Sequence, residues 1–160
     1  MKITLTTKND RETLSLAKSL GPYLEPGIQL LLDGDLAAGK TVFAKGVGAG
    51  LGIEENIKSP SYTLLCIYEG RLPFYHFDTY HLNGIDDFYD LGFDEYLDGD
   101  GVALIEWASV VRDGFPYGFI AVAMEKFPED ENRRRLTFTA VGAEHQRVLK
   151  EWQEHEHIGL

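Results

Sequence analysis

The sequence predicts an α/β fold, a three-layer sandwich around a central sheet of mixed parallel and antiparallel strands. Three observations carry this. The nearly continuous apolar run from Ile28 to Asp33 reads as a strand covered on both faces. After a glycine-bearing turn, the stretch from about Lys40 to Gly50 has an apolar stripe of Val42, Phe43, Val47 and Leu51, which suits a helix packed on that strand. Further apolar runs alternate with helical ones, and two of them flank a tight-turn signal, so some strands pair antiparallel.

In chain order, Lys2 to Thr6 alternates like a short strand. Asp10 is the expected N-cap of a helix from about Arg11 to Leu20, where Leu14, Ala17, Lys18 and Gly21 fall at helical spacing and Gly21-Pro22 ends it. The Ile28 strand and the Lys40 helix follow. Thr63 to Glu69 and Leu72 to Asp78 flank Gly70-Arg71, a two-residue hairpin signal. Ile85 to Leu91 reads as a short helix. Val102 to Glu106, Phe119 to Glu125 and Arg135 to Val141 read as strands, and Ala143 to Trp152 as a last helix. Neither repeat nor low-complexity linker divides the chain, so 160 residues are expected to form one domain, 1–160.

Composition narrows the function. Fifteen Lys and Arg against 26 Asp and Glu leave a net charge of -11, which argues against a protein that grips nucleic acid or an anionic membrane on its own. Cys66 is the only cysteine and excludes an internal disulfide, an all-cysteine zinc site and a CxxC redox pair; between Leu65 and Ile67 it reads as core. The apolar runs are too short to span a bilayer, and the N-terminus lacks a signal-peptide core, so the expected location is cytoplasmic.

The most informative stretch is Gly34-Asp35-Leu36-Ala37-Ala38-Gly39-Lys40-Thr41, which fits GxxxxGK[ST] at every fixed position. A loop of this length wraps its backbone N–H groups around phosphate oxygens, and the following helix adds its positive end. Lys40 is placed to reach the β- and γ-phosphates, and the Thr41 hydroxyl to coordinate Mg²⁺. Lying between an apolar strand and an amphipathic helix, the loop makes the expected fold a compact P-loop NTPase-like sandwich. Its nucleotide-binding residues are Asp35, Leu36, Ala37, Ala38, Gly39, Lys40, Thr41 and Val42.

Such a loop needs carboxylates for the metal, commonly at the ends of apolar strands. Asp78 ends Phe74-Tyr75-His76-Phe77-Asp78, and Glu106 ends Val102-Ala103-Leu104-Ile105-Glu106. The carboxyl ends of sheet strands line the ligand crevice, so both are expected to face the loop. Ser59-Pro60-Ser61-Tyr62-Thr63 supplies hydroxyls where switch proteins sense phosphate, though an ordinary Ser/Thr turn has the same composition. Trp107 is either core or a surface for the nucleotide. His76 and His81 flank Asp78 but lack a third partner for zinc. Leu72 to Val111 contains nine acids and no Lys or Arg; an EF-hand register starting at Asp94 fails at Tyr96 and Ile105, leaving a solvated acidic face suited to a basic partner. No NKxD guanine motif exists. Arg133-Arg134-Arg135, just before a strand, is the one arginine cluster a small-molecule kinase lid would use.

Taken together, these blocks resemble the bacterial TsaE family (formerly YjeE), P-loop ATPases that serve threonylcarbamoyladenosine (t6A) modification of tRNA. The resemblance runs through the Gly34–Thr41 loop, Ser59-Pro60-Ser61-Tyr62-Thr63-Leu64, Tyr75-His76-Phe77-Asp78-Thr79-Tyr80, Leu91-Gly92-Phe93-Asp94-Glu95-Tyr96-Leu97 and Leu104-Ile105-Glu106-Trp107-Ala108. It implies an enzyme that binds ATP and Mg²⁺, hydrolyses ATP slowly alone, and works with TsaD and TsaB, meeting tRNA only through that complex. It also implies Thr41, Glu106 and Asp78 as metal-site residues, with Lys40, Asp78 and Glu106 as the catalytic set. Trp107 would lie near the nucleotide, and Arg134, with Arg133 as competitor, would approach it from a later strand. Thr7 to Asp10 is the candidate adenine contact.

Three positions depart from the family pattern. Ala37 stands where Gly is usual, Ser61 where Thr is usual and His81 where Arg is usual. An alanine is mild there if its φ stays negative, and Ser61 keeps its hydroxyl. Against the ATPase reading stand a non-hydrolytic nucleotide-dependent partner switch and a small-molecule P-loop kinase.

Overall fold

The computed structural model describes residues 1–159. The chain runs β1 (Lys2–Thr7), α1 (Asp10–Leu20), β2 (Gln29–Gly34), α2 (Lys40–Gly50), β3 (Leu65–Glu69), β4 (Pro73–Asp78), α3 (Ile85–Asp90), β5 (Val102–Glu106), α4 (Ser109–Arg112), β6 (Phe119–Phe127), β7 (Asp130–Val141) and α5 (Ala143–Glu156). Short 3₁₀ turns occupy Gly21–Tyr23 and Phe93–Tyr96. The strands form one sheet in the order β1-β7-β6-β2-β5-β4-β3.

The four middle strands, β6, β2, β5 and β4, are parallel, while β7 and β1 on one side and β3 on the other add antiparallel edges. The mixed sheet expected from the sequence is therefore present. Side chains alternate across it as strand geometry demands. Leu30, Leu32, Phe74, Val102 and Leu104 join a core with Phe43 and Val47 of α2 and Trp152 of α5. Leu31, Phe77, Ala103 and Ile105 join a second core with Phe88 of α3 and Val111 beside it in α4. Burial on both faces explains the unbroken apolar spelling of β2 and β5.

Helix α1 lies on α2 at glycine-limited distance. A Cβ at Gly46 would fall 2.5 Å from the Leu14 carbonyl oxygen and 2.6 Å from the Ala17 Cβ, so only hydrogen fits. The contact fixes α2, and with it the loop ahead of Lys40.

Several boundaries differ from the sequence reading for local reasons. The N-cap of α1 is Asn9, not Asp10: the Asn9 side chain accepts from the Glu12 N–H at 2.9 Å, and Glu12 accepts from the Lys8 N–H at 2.8 Å. Thr13, rather than half-buried Leu14, is buried in α1, its hydroxyl 2.7 Å from that of Thr7. Glu69 pairs with Pro73, so three residues close the β3–β4 hairpin instead of two. Strand β7 starts at Asp130, which puts Arg133, Arg134 and Arg135 within the strand rather than before it. Pairing with β6 continues where apolar patterning has ceased. Cys66 is only half-buried, at the core edge.

Candidate nucleotide-binding site

Register brings the site together. Leu32 of β2 pairs with Glu106 of β5, and Asp78 of β4 also pairs with Glu106, so three parallel strands end level. The Gly34–Thr41 loop rises from the same end of β2 and turns directly into α2. Gly39 precedes that helix with φ 104°, a conformation that favours glycine. The result is a cleft of about 370 Å³ whose walls include Lys40, Thr41, Ser61, Asp78, Glu106 and Trp107. Leu36, Ala37, Gly39, Val42 and Arg134 also reach this cleft. Asp35 is exposed and borders a neighbouring depression beside Met124, and Ala38 is buried behind the loop.

Lys40 is buried, at 6% exposure. Its ammonium donates to the Gly34 carbonyl at 2.5 Å and the Asp35 carbonyl at 2.9 Å, and lies 4.0 Å from the centroid of the Trp107 ring. Burial pulls its pKa below the ordinary lysine value, against the opposing pull of Glu106, Asp33, Asp78 and Asp35. Trp107 reaches this place through a backbone φ of 60°, and its ring also packs on Tyr80 at 4.8 Å. The Thr79 hydroxyl secures the strained turn by donating to the carbonyls of Glu106 and Trp107 at 3.1 and 2.8 Å.

Asp78 and Glu106 are both buried, at 5% and 3% exposure. The Asp78 carboxylate accepts from the Ser61 hydroxyl at 3.2 Å and from the Tyr80 N–H at 2.9 Å. The Ser59 and Ser61 hydroxyls are 2.7 Å apart, so the 59–63 segment is tied to Asp78 by side-chain hydrogen bonds. Leu64, which joins that segment to β3, has φ 68°. Among the described residues, no group of three or more His, Cys, Asp or Glu is assembled to hold a metal by itself. Two carboxylates and the Thr41 hydroxyl are hard oxygen donors. That set fits Mg²⁺, which typically takes one or two carboxylates and completes its shell with phosphate and water.

Arg134 is buried, with its guanidinium turned onto the loop. It donates to the carbonyls of Ala38 at 2.9 Å, Ala37 at 3.2 Å, Glu131 at 2.7 Å and Arg133 at 2.8 Å. Arg133 is exposed and lies over Phe127 instead. Ala37 has φ 62°, so the negative φ that would make alanine mild there does not hold. The arginine thus grips the carbonyls around the one strained non-glycine residue of the loop.

Of the Thr7 to Asp10 segment, Asp10 borders the cleft, whereas Thr7 is turned into the core. His81 is exposed, edge-on to Tyr80 at 4.9 Å. Sequence reasoning missed His76 as a partner of Glu106: the His76 Nε2 lies 2.5 Å from a Glu106 carboxylate oxygen, in a position with no solvent exposure. The signal was a polar residue two places before Asp78 in an otherwise apolar strand, which by alternation shares its face.

The comparisons with known proteins point one way. Residues 7–136 match the family model described as "Threonylcarbamoyl adenosine biosynthesis protein TsaE". A Bacillus subtilis relative named tRNA threonylcarbamoyladenosine biosynthesis protein TsaE is 40% identical over 153 residues, covering 95% of this chain and 94% of that protein. The same-named protein of Treponema pallidum is 42% identical over 118 residues, covering 74% of this chain and 87% of its own length. The crystal structure of Bacillus subtilis YdiB superposes with a TM-score of 0.85 at 36% identity, over 98% of this chain and 97% of that one. A sheet that ends level at a phosphate-type loop, the matching family model and these relatives agree: the chain belongs to the TsaE family.

Proposed function

We propose that this chain, residues 1–160 acting as one domain, binds ATP with Mg²⁺ and hydrolyses it as the ATPase subunit of tRNA t6A formation. The observation that carries this reading is the loop between β2 and α2, with Lys40 inside it and two buried carboxylates of neighbouring parallel strands facing it. Loop amides and the α2 amino end receive phosphate oxygens. Lys40 exchanges its two loop carbonyls for the β- and γ-phosphates, a far stronger partner for an ammonium. Thr41, Asp78 and Glu106 would hold the metal, which supplies charge neutralisation at the transferred phosphoryl group. The two carboxylates also orient the attacking water, and the Ser61–Asp78 hydrogen bond makes the 59–63 segment responsive to what occupies the cleft.

The family assignment supports t6A biosynthesis as the setting, and we propose TsaD and TsaB as the protein partners. The acidic balance fits this division of labour, because a more basic partner then holds the tRNA. No helix among the described residues is long and apolar enough to cross a membrane, and we propose that the chain works in the cytoplasm.

Calorimetry of Mg·ATP binding and steady-state ATPase assays, with and without the TsaB–TsaD pair, test the reading. The expected result is binding, slow turnover alone and faster turnover with the pair. Glu106→Ala is expected to abolish turnover while complex assembly persists. No heat on titrating Mg·ATP into folded protein overturns the proposal, and unchanged function in Glu106→Ala moves it to a non-hydrolytic switch.

A further inference from the structure

We propose that His76 is a positioning residue for Glu106, holding one carboxylate oxygen so that the other is presented to the cleft. The proposal rests on the reading of Glu106 as a metal-site residue. It starts from an oddity of burial. His76 has no solvent exposure, and its Nδ1 has no hydrogen-bond partner among the described residues. A buried polar atom left unpaired costs stability, and an apolar side chain in β4 would avoid that cost. The ring's remaining polar contact is the Nε2 to Glu106 Oε2 hydrogen bond at 2.5 Å. What the histidine supplies that phenylalanine or leucine cannot is therefore directed at Glu106.

The geometry fits orientation. The His76 ring stacks on Phe74 at 5.9 Å with an interplanar angle of 17°, which fixes its plane. With Nδ1 bare and Nε2 against a carboxylate, which only accepts, the ring carries a proton on Nε2 and donates it to Oε2. A glutamate side chain has three torsions, and the bond from His76 is the one hydrogen bond its carboxylate makes among the described residues. Taking up Oε2 leaves Oε1 as the acceptor available to the cleft. Residues that orient metal-binding carboxylates and histidines commonly change metal affinity or activity about 10- to 100-fold when removed. His76 borders no part of the cleft itself and acts only through Glu106.

The test uses the full chain with His76→Phe, which keeps a ring but loses the donor, and His76→Gln, which restores an N–H near the Nε2 position. Mn²⁺ binding is followed by electron paramagnetic resonance with a non-hydrolysable ATP analogue, alongside kcat, KM and nucleotide affinity in EDTA. His76→Phe is expected to bind Mn²⁺ or turn over about tenfold or more worse, with metal-free nucleotide affinity and KM little changed, and His76→Gln to recover most of the loss. In the metal-free wild type, ¹⁵N-edited NMR is expected to show the ring proton on Nε2, and Glu106→Gln to move that resonance. If His76→Phe does not fold, His76→Met against His76→Gln makes the same comparison of shape without and with a donor. Equal behaviour of donor and non-donor variants overturns the proposal, as does a ring with no proton on Nε2. A wild-type chain that binds no nucleotide overturns the ATPase reading as well, whereas wild-type binding with indifferent His76 variants overturns this proposal alone.

Discussion

The Lys40 ammonium sits 4.0 Å from the centre of the Trp107 indole, so the one cation of the loop motif rests on the aromatic ring that follows Glu106. Phosphate oxygens offer a far stronger partner than a ring face, whose attraction is worth about 0.5–2 kcal/mol. Mg·ATP is therefore expected to draw the ammonium off the ring and change Trp107 emission. The second tryptophan, Trp152, is fully buried in the core and serves as a constant background. A titration followed by fluorescence should lose its response in Trp107→Phe and keep it in Trp152→Phe. Lys40→Ala should weaken nucleotide binding about 10- to 100-fold, the loss of roughly one charged hydrogen bond.

Arg134→Lys tests the grip on the loop. The guanidinium spans four carbonyl oxygens from two segments, and an ammonium cannot reproduce that fork. The substitution is expected to raise amide hydrogen exchange at residues 35–39 and to weaken nucleotide binding about tenfold or more, each lost charged bond being worth about 1.5–3 kcal/mol. Exchange in β5 and α5 should stay as in the wild type. Unaltered exchange in the loop would contradict a bracing role.

At Ala37 the prediction has the opposite sign. A φ of 62° costs an alanine about 1–2 kcal/mol, while glycine adds about 0.5–1 kcal/mol of chain entropy to be lost on folding. Ala37→Gly should therefore be stabilising by up to about 1.5 kcal/mol, read as a rise of up to roughly 3–6 °C in Tm. A fall in Tm would show that Arg134 already offsets the strain.

His145 gives the chain a pH dependence remote from the cleft. Its Nε2 accepts the Gln29 N–H at 3.0 Å, and burial holds its pKa below the ordinary value of 6.5, against the pull of Glu144 and Asp98. As pH falls through 6.5, the unfolded chain takes up a proton that the folded chain resists, so stability drops until the folded pKa is passed. His145→Gln keeps an acceptor for Gln29 but cannot titrate. Denaturation midpoints measured from pH 7.5 to 5 should fall less steeply in that variant than in the wild type.

What could be read from the residues, and what could not, divides by distance along the chain. The strand, loop and helix from Ile28 to Gly50 are encoded locally, by an apolar run, a spaced glycine motif and a helical stripe. β5 matches its reading at both ends, because burial on both faces leaves an unbroken apolar word. Asp78 and Glu106 were legible as strand ends, yet their pairing required the register of β4 against β5. His76 escaped for the same reason: its partner lies thirty residues away, and nothing in the spelling of β4 names it. Arg134 was legible as a candidate but not as a brace, since its partners Ala37 and Ala38 are reached only through the sheet order. The positive φ of Ala37 and Trp107 is a tertiary outcome that side-chain identity argues against.

The antiparallel pair at residues 119–141 carries none of the motif glycines, carboxylates or hydroxyls, yet its second strand delivers the guanidinium that buttresses the phosphate loop. A shortened polypeptide stopping ahead of Asp130 would keep every signature letter and still forfeit the scaffold that shapes them. In this molecule the recognisable half of the sheet depends for its working form on the half that looks ordinary.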